Sequence, residues 1–208
     1  SSVMETGHDI LFFWVARMIM FGIENTGKIP FENIYLHGLV KDPDGIKMSK
    51  SKGNVMDPLD LVDTYGADAL RFALTTGTSP GNDMRLNEQK MESARNFANK
   101  LWNAPRFVIS NLHDLDMNSD FHSINPSNIQ DKWIITKYIN TIQDVERFLN
   151  NYQFSEAQKV IYDFFWTEFC DWYLEMAKIR LRKAKSESAI HTLVYVLQGV
   201  LRLLHPFM

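Results

Sequence analysis

The sequence contains a single cysteine, Cys170, in 208 residues. One thiol cannot form an internal disulfide, and the six histidines have no cysteine partners at the spacing of a zinc site. We therefore expect a protein of a reducing compartment that has no structural metal and binds none through this chain.

A strong charge bias and a long apolar run are also missing. The formal net charge is −3, so any contact with RNA would have to depend on local basic patches. The apolar stretch at residues 10–23 is interrupted by Arg17 and is short for a membrane span, and no basic leader precedes it. With 45% hydrophobic residues the chain can build a core, so we expect a globular, soluble protein without a targeting segment.

The first part of the chain mixes helix, strand and loop. Asp9 precedes a run that is apolar on nearly every face and that Gly27 ends, which predicts a buried helix. Residues 33–40 are rich in strand formers and run into a turn at residues 42–45. This pattern predicts a core strand followed by an exposed loop.

Local stop and start residues then predict two short helices. Asp57 before Pro58 is a helix cap with proline at the first helical position, and Gly66 ends that helix. A second helix is predicted to begin at about Ala67. From about Leu86 onward the periodicity is almost only helical.

The helical part is interrupted by a polar break at residues 113–128. Ser155 with Gln158 three residues later predicts a capping box. The helix that follows is predicted to bury one apolar stripe, formed by Ile161, Phe165, Phe169, Trp172, Met176 and Ile179. The last helical pattern, residues 190–204, stops without a capping residue of its own, so we expect the chain to be cut at that end.

Three lysines alternate with small or flexible residues in residues 47–54, which we call the lysine loop. Ammonium groups supply mobile point charges, and serine hydroxyls and backbone N–H groups add donors, so such a loop can wrap a polyphosphate. Clusters of lysine and serine are more often solvated loops. The residue types alone leave both interpretations open.

The order of residues in this loop resembles the signature loop of class I aminoacyl-tRNA synthetases without departure, at Lys47, Met48, Ser49, Lys50 and Ser51. The resemblance implies that the loop closes on ATP during amino-acid activation, so all five residues are expected to bind ATP. Lys50 is expected to stabilise the departing pyrophosphate and Lys47 to assist it. These two are the predicted catalytic residues.

Residues 5–18 look like the valyl branch of this family. That resemblance implies that Gly7 and Asp9 approach the ATP ribose, with the carboxylate accepting hydrogen bonds from the sugar, and that Trp14 walls the amino-acid pocket. Their structural alternatives, a helix cap for Asp9 and core packing for Trp14, stay open.

His37 and Gly38 end the predicted strand before the lysine loop. In the family this turn lies against the adenine, where glycine lets the base approach the backbone, so both residues are expected in the ATP site. A lone histidine is more often a core residue. Residues 66–72 also match the family, but we assign them only packing.

Residues 94–103 and 166–175 resemble helices of the subclass Ia anticodon-binding domain. Basic residues crowd the end of one helix and are candidates for contact with RNA phosphates, although they could equally complement the helix dipole. They are Lys178, Arg180, Arg182, Lys183 and Lys185. The resemblance implies the C-terminal part of a catalytic nucleotide-binding domain at residues 1–85 and a truncated anticodon-binding domain at residues 86–208.

Together these patterns predict a mainly α fold, an antiparallel helix bundle preceded by a small α/β remnant of a Rossmann-like domain. The resemblance implies an internal fragment of a cytoplasmic, monomeric ligase that joins valine to tRNA(Val) with ATP and Mg²⁺. The family's His-x-Gly-His element is absent, so the fragment alone is expected to be inactive. An isoleucine-specific fragment, because hydrophobic pockets separate one methylene weakly, or a stand-alone tRNA-binding module remains possible.

Overall fold

The computed structural model describes residues 1–112, 126, 128–184 and 186–208, except for the side chains of residues 183 and 184. The N-terminal part contains strands β1 Val3–Gly7, β2 Asn33–His37, β3 Val40–Lys41 and β4 Met84–Arg85, and helices α1 Ala16–Thr26, α2 Pro58–Tyr65 and α3 Ala67–Thr75. The remainder is helical: α4 Glu88–Ser110, α5 Ile129–Asn150, α6 Phe154–Asp163, a π-helical segment Phe164–Leu174, α7 Glu175–Ala184 and α8 Glu187–Leu204. The described chain is thus mostly helical with a small parallel-strand part, as predicted.

The four strands form two parallel pairs. β1 pairs with β2 in a register that sets Gly7 opposite His37, and β3 pairs with β4. Because both strands of the first pair run in the same direction, their carboxyl ends meet at one edge. The turns that follow β1 and β2 therefore begin side by side.

Helix α2 begins and ends where the sequence predicts, and α3 begins at Ala67 as predicted. The Asp57 carboxylate accepts a hydrogen bond from the Leu59 N–H at 2.8 Å, and Pro58 is the first helical residue. Gly66 ends α2 at a φ of 93°, a backbone conformation that other residues rarely adopt. These signals lie within a few residues of each other, so the sequence was sufficient to find them.

The apolar run before and within α1 is exposed, contrary to the prediction of a buried helix. Val15 is fully buried, whereas Phe12 is 83% exposed and Phe13 is 72% exposed. A run that is apolar on every face needs neighbours all round, and β1 is the one described strand that packs against its start. Gly27 does end the helix, with a φ of 66°. Strand β2 is also at most partly buried and is not a core strand.

One hydrophobic core runs from Leu61 in α2 to Phe207 after α8. Helix α3 packs on α4 and α6, and the rings of Phe72 and Phe97 stack with centroids 4.5 Å apart. Burial of apolar surface therefore joins the two sides of residue 86, where the sequence predicted a domain boundary.

The π-helical segment changes which side chains face the core. Phe165 and Phe169 are fully buried as predicted, and the next fully buried side chain is Tyr173. Trp172, which the predicted stripe included, is 60% exposed, and Ile179 is also exposed. A π-helix has more residues per turn than an α-helix because its hydrogen bonds span five residues. The fully buried positions here therefore come four residues apart, and the stripe prediction fails at Trp172 and Ile179, whereas Met176 is partly buried and packs against the core.

The predicted capping box at the start of α6 is wrong. Ser155 Oγ accepts a hydrogen bond from the Gly77 N–H at 2.8 Å, and Gln158 Nε2 donates to the Phe72 carbonyl at 2.8 Å. Ser155 therefore accepts from the backbone just after α3, and Gln158 adds a second donor to the Phe72 carbonyl, which also accepts from the Thr76 N–H. The two residues fasten α6 to α3 instead of capping their own helix.

A buried ion pair joins the last helices. The Asp131 side chain is completely buried and receives both guanidinium branches of Arg180, one of them at 3.0 Å. Ser188 Oγ and Tyr173 Oη donate to the same carboxylate at 2.6 and 2.7 Å. Burial alone would raise the pKa of Asp131, but the hydrogen bonds from these groups outweigh it and the pKa is lowered. The carboxylate thus ties α5 to the π-helical segment, α7 and α8.

Helices α5 and α8 approach closely at Gly199. A β-carbon at this position would lie 1.7 Å from Tyr138 Oη, so the ring leaves no space for any side chain. Within the part of the chain that the structure describes, none of the helices has the length and apolarity needed to cross a membrane.

Candidate functional site

The carboxyl ends of β1 and β2 gather three of the predicted ATP-binding residues. A β-carbon on Gly7 would lie 2.7 Å from Asp9 Oδ1 and 3.6 Å from His37 Cε1, so these three residues are close neighbours. Asp9 lies within a short 3₁₀ turn, His8–Ile10, which has no side-chain cap. The alternative of Asp9 as a helix cap is therefore not met.

The lysine loop meets this edge through its first lysine. Lys47 Nζ lies 3.1 Å from Asp9 Oδ2, and this hydrogen bond lowers the pKa of the Asp9 carboxyl group. Both side chains are well exposed, so the pair contributes little to stability and can open readily. The structure thus brings together two groups that lie 38 residues apart in the chain.

The rest of the lysine loop presents its charge to solvent. Lys50 begins a short 3₁₀ turn, Lys50–Lys52, and Gly53 ends it at a φ of 67°. Ser49 Oγ and Ser51 Oγ lie 3.3 Å apart. No described acidic residue pairs with the Lys50 ammonium group. The charge is therefore available to an anion without first breaking an ion pair.

A clamp formed by Asp42 and Asn54 holds the two ends of the loop together. Asn54 Nδ2 donates to Asp42 Oδ2 at 2.8 Å, while Asn54 Oδ1 accepts from the Ser49 N–H at 2.9 Å. The Asp42 carboxylate also accepts from the Ile46 N–H at 2.7 Å. Hydrogen bonds from Asn54 and from Ile46 lower the pKa of Asp42, which is buried.

This clamp is not evident from the sequence. Asn54 lies in the predicted loop without a predicted role, and Asp42 lies in the predicted turn. The two residues are 12 positions apart, and no local pattern pairs them. The turn at residues 42–45 was the one feature that pointed to this part of the chain.

Replacing Asn54 with alanine should loosen the loop without unfolding the protein. The change removes the only described acceptor of the Ser49 N–H together with the bond to Asp42. Because a hydrogen bond is worth about 1 kcal/mol, we expect amide hydrogen exchange at Ser49 to accelerate roughly fivefold to tenfold. Ser51→Ala is the matched control, since it removes only a hydroxyl contact. Equal exchange at Ser49 in the wild type and Asn54→Ala would show that the clamp does not hold the loop.

Gly38 is small for a reason that the sequence did not reveal. A β-carbon there would lie 1.7 Å from the Asn82 carbonyl oxygen, so the chain's own backbone leaves no space for a side chain at this position. His37 Nδ1 lies 2.9 Å from the Gly38 carbonyl oxygen, to which it can donate. The Trp14 side chain is 56% exposed, so it is neither core packing nor part of a closed pocket within the described structure.

The basic residues predicted to contact RNA have different surroundings. Arg180 forms an ion pair with the buried Asp131. The prediction that Arg180 contacts RNA is therefore corrected, because its guanidinium group neutralises a carboxylate inside the fold. Lys178 pairs with the exposed Glu175, and Arg182 is exposed. The side chain of Lys183 and all of Lys185 lie outside the described residues.

The described residues contain no group of three or more histidine, cysteine, aspartate or glutamate side chains placed to hold a metal ion. The site is therefore built from lysines, hydroxyl groups, one exposed carboxylate and backbone donors. This combination suits an anionic ligand that also carries hydroxyl groups.

Two family models match the chain in tandem. Residues 1–87 match tRNA synthetases class I (I, L, M and V), and residues 131–208 match the anticodon-binding domain of tRNA ligase. Over these two stretches the chain is similar to the class I tRNA synthetases. The first model covers both strand ends and the whole lysine loop, which agrees with the motif recognised in the sequence.

Curated relatives match this chain along its entire length. It is 55% identical to a valine--tRNA ligase of Dehalococcoides mccartyi strain CBDB1 over 210 residues, which is 100% of this chain and 23% of that protein. A valine--tRNA ligase of Symbiobacterium thermophilum is 53% identical with the same coverage, and one of Bacillus anthracis is 47% identical, covering 24% of that protein. The chain thus spans about a quarter of the length of these relatives.

Solved structures of other proteins have the same fold as this chain. The ternary complex of Agrobacterium radiobacter K84 LeuRS with tRNA and LeuAMS matches with a TM-score of 0.79 at 22% identity, over 100% of this chain and 25% of that one. Mycobacterium tuberculosis methionyl-tRNA synthetase in complex with methionyl-adenylate matches equally well, over 42% of its length.

Proposed function

We propose that this chain is part of a valine--tRNA ligase and supplies its ATP-phosphate loop and a tRNA-binding helical region. The observation that carries this proposal is the meeting of Lys47 and Asp9 at the carboxyl ends of two parallel strands, next to an unpaired Lys50. The identity of 47–55% with valine--tRNA ligases over the whole chain supports valine as the amino acid.

Lys50 is the residue proposed to stabilise the leaving pyrophosphate. Its ammonium group is exposed and has no acidic partner among the described residues, so it can follow the charge that develops during adenylate formation. Asp9 would leave Lys47 and accept hydrogen bonds from the ribose, which frees Lys47 for the phosphates. This exchange couples binding of the sugar to release of the second catalytic lysine.

The other proposed ATP contacts surround these residues. Gly7 and His37 line the strand edge, and the loop backbone with its hydroxyl groups faces the phosphates. The proposed set is Gly7, Asp9, His37, Gly38, Lys47, Met48, Ser49, Lys50 and Ser51, with Trp14 assigned to the valine pocket. The described residues contain no group of His, Cys, Asp and Glu side chains placed to hold a metal ion. We propose that Mg²⁺ binds together with ATP, and we assign it no step.

We assign residues 1–85 to the catalytic domain and residues 86–208 to an antiparallel anticodon-binding bundle. We propose tRNA(Val) as the RNA. Among the residues that the structure describes, Lys178 and Arg182 are the ones proposed to contact its phosphates. We further propose that the protein is a monomer and acts in the cytoplasm. The match of residues 131–208 to the anticodon-binding family supports the assignment of the helical part.

The test is valine-dependent pyrophosphate exchange by the 208-residue chain, run beside a titration with tRNA(Val) at two salt concentrations. We expect no exchange, because the sequence holds no His-x-Gly-His element and charge-stabilising groups are needed on both sides of the α-phosphate. We expect weak tRNA binding that decreases as salt rises, because phosphate contacts release counterions.

The two measurements fail separately. Robust exchange by this chain would contradict the division of labour that we propose for the lysine loop. Absent or salt-independent tRNA binding would contradict the assignment of the helical part, whatever the exchange assay shows.

A further inference from the structure

A cavity of about 600 Å³ lies between α3, α4 and α6, apart from the strand ends and the lysine loop. Its walls are the end of α3, the start of α4 and one side of α6, and Ser155 and Gln158 fasten α6 to the end of α3. Cavities of this size accommodate ligands as large as a nucleotide. The fastening keeps the cavity walls in place without a ligand.

Lys90 is the group in this cavity that the fold itself does not use. Its side chain is half-buried, and no ion pair or hydrogen bond joins its ammonium group to a described residue. Removal from water lowers the pKa of Lys90, which shows that the charged form is disfavoured there. An unpaired, partly desolvated cation destabilises a fold unless an anion compensates for it.

The other charged groups at the cavity cancel each other. Lys159 pairs with Asp163, and both line the wall. Lys90 therefore leaves the cavity with one excess positive charge. Ser93 and Gln89 add polar groups from α4 and Ser155 adds one from α6, and the first turn of α4, to which Lys90 belongs, contributes the positive end of a helix dipole.

The cavity lining also contains apolar and aromatic side chains. They are Phe72 of α3, Ala94 of α4 and Tyr162 of α6, and the Tyr162 ring stacks on Trp166 with centroids 5.5 Å apart and an angle of 21° between the rings. A supported aromatic ring is a suitable surface for a nucleobase, because every base has a π-face. The cavity thus combines one uncompensated cation with a stacking surface.

We propose that this cavity binds one nucleotide unit of RNA, with a backbone phosphate at Lys90 and the base against Tyr162. The proposal rests on the proposed function, which makes tRNA the RNA, and it adds a contact away from the basic end of α7. A phosphate on a chain explains a single cation at the cavity, whereas a free nucleotide triphosphate would call for several.

The test compares the 208-residue wild type with Lys90→Met, using a fluorescently labelled tRNA(Val) transcript and fluorescence anisotropy. We expect Lys90→Met to weaken tRNA binding about threefold to tenfold. The plot of log K against log salt should become less steep by about 0.9, which is the value for one phosphate contact. Thermal unfolding of Lys90→Met should be unchanged or shifted upward, since the variant removes an uncompensated cation.

Two further variants separate charge at this place from charge in general. Lys90→Arg retains the cation and should restore the salt slope. Lys28→Met removes an exposed lysine outside the cavity and should leave tRNA affinity close to wild type. A titration with AMP asks whether a free nucleotide uses the cavity instead.

Each outcome decides a different question. If wild type and Lys90→Met bind tRNA with the same affinity and slope, the cavity proposal is wrong and the proposed function stands. If no variant binds tRNA, both are wrong. If AMP binds in a Lys90-dependent way while the tRNA slope is unaltered, the ligand is a free nucleotide and the assignment to RNA is overturned.

Discussion

Replacing Asp131 with alanine is expected to lower the free energy of unfolding by about 3–5 kcal/mol, the usual loss when one partner of a buried ion pair is removed. The substitution leaves the Arg180 guanidinium group, only 16% exposed, without its carboxylate. It also removes the acceptor of the Ser188 and Tyr173 hydroxyl groups. Urea unfolding followed by circular dichroism gives the difference directly.

Glu175→Ala is the matched control for this prediction. It also removes a carboxylate from an ion pair, with Lys178, but that pair is exposed and should contribute less than about 1 kcal/mol. A loss in Asp131→Ala as small as the loss in Glu175→Ala would show that the buried network contributes little to stability.

Because of the same carboxylate, we expect the free energy of unfolding to fall at acidic pH, and we call this fall the acid limb. Because the pKa of Asp131 is lowered in the fold, its contribution is fully present above the ordinary aspartate value of about 3.9 and is lost as pH falls through the folded pKa. Asp131→Asn should lack this part of the acid limb, as unfolding midpoints measured between neutral and strongly acidic pH would show.

In the valine--tRNA ligase of which we propose this chain to be part, Lys50→Ala is expected to slow adenylate formation by a factor on the order of 10² or more. Valine binding should change little, because the charge is needed where negative charge develops on the pyrophosphate. Rapid-quench measurement of a single turnover separates the activation rate from valine affinity.

Lys28→Ala is the control for general loss of positive charge, since Lys28 is exposed and lies outside the lysine loop. It should retain the wild-type activation rate. An activation rate in Lys50→Ala equal to that of the wild type would remove Lys50 from the mechanism and leave the loop as a solvated segment.

The parts of the fold that could be predicted from sequence are those decided by neighbours in the chain. Asp57 caps the helix that Pro58 begins, and Gly66 ends it, because each of these effects acts within one turn of helix. The lysine loop was recognised differently, through the resemblance of its residue order to a family signature. Its approach to Asp9 was expected only because the family resemblance placed both at ATP.

The parts that could not be predicted depend on contacts between distant residues. Ser155 has the chemistry of a helix cap, but the nearby end of α3 offers it another partner. Arg180 looks like its basic neighbours in sequence and is distinguished by Asp131, which lies 49 residues away. The stripe failed at Trp172 and Ile179 because periodicity assumes α-helical geometry, and the sequence carries no simple mark of a π-helical segment.

The continuous core from Leu61 to Phe207 has a consequence for engineering chimeric ligases. A crossover placed at residue 86 would separate α2 and α3 from the α4 and α6 surfaces on which α3 packs, and would bring together side chains that had not been selected to fit. A crossover just before Asp57 would transfer both short helices with the helices they contact. The helices that pack together in this chain therefore begin about thirty residues before the match to the first family model ends.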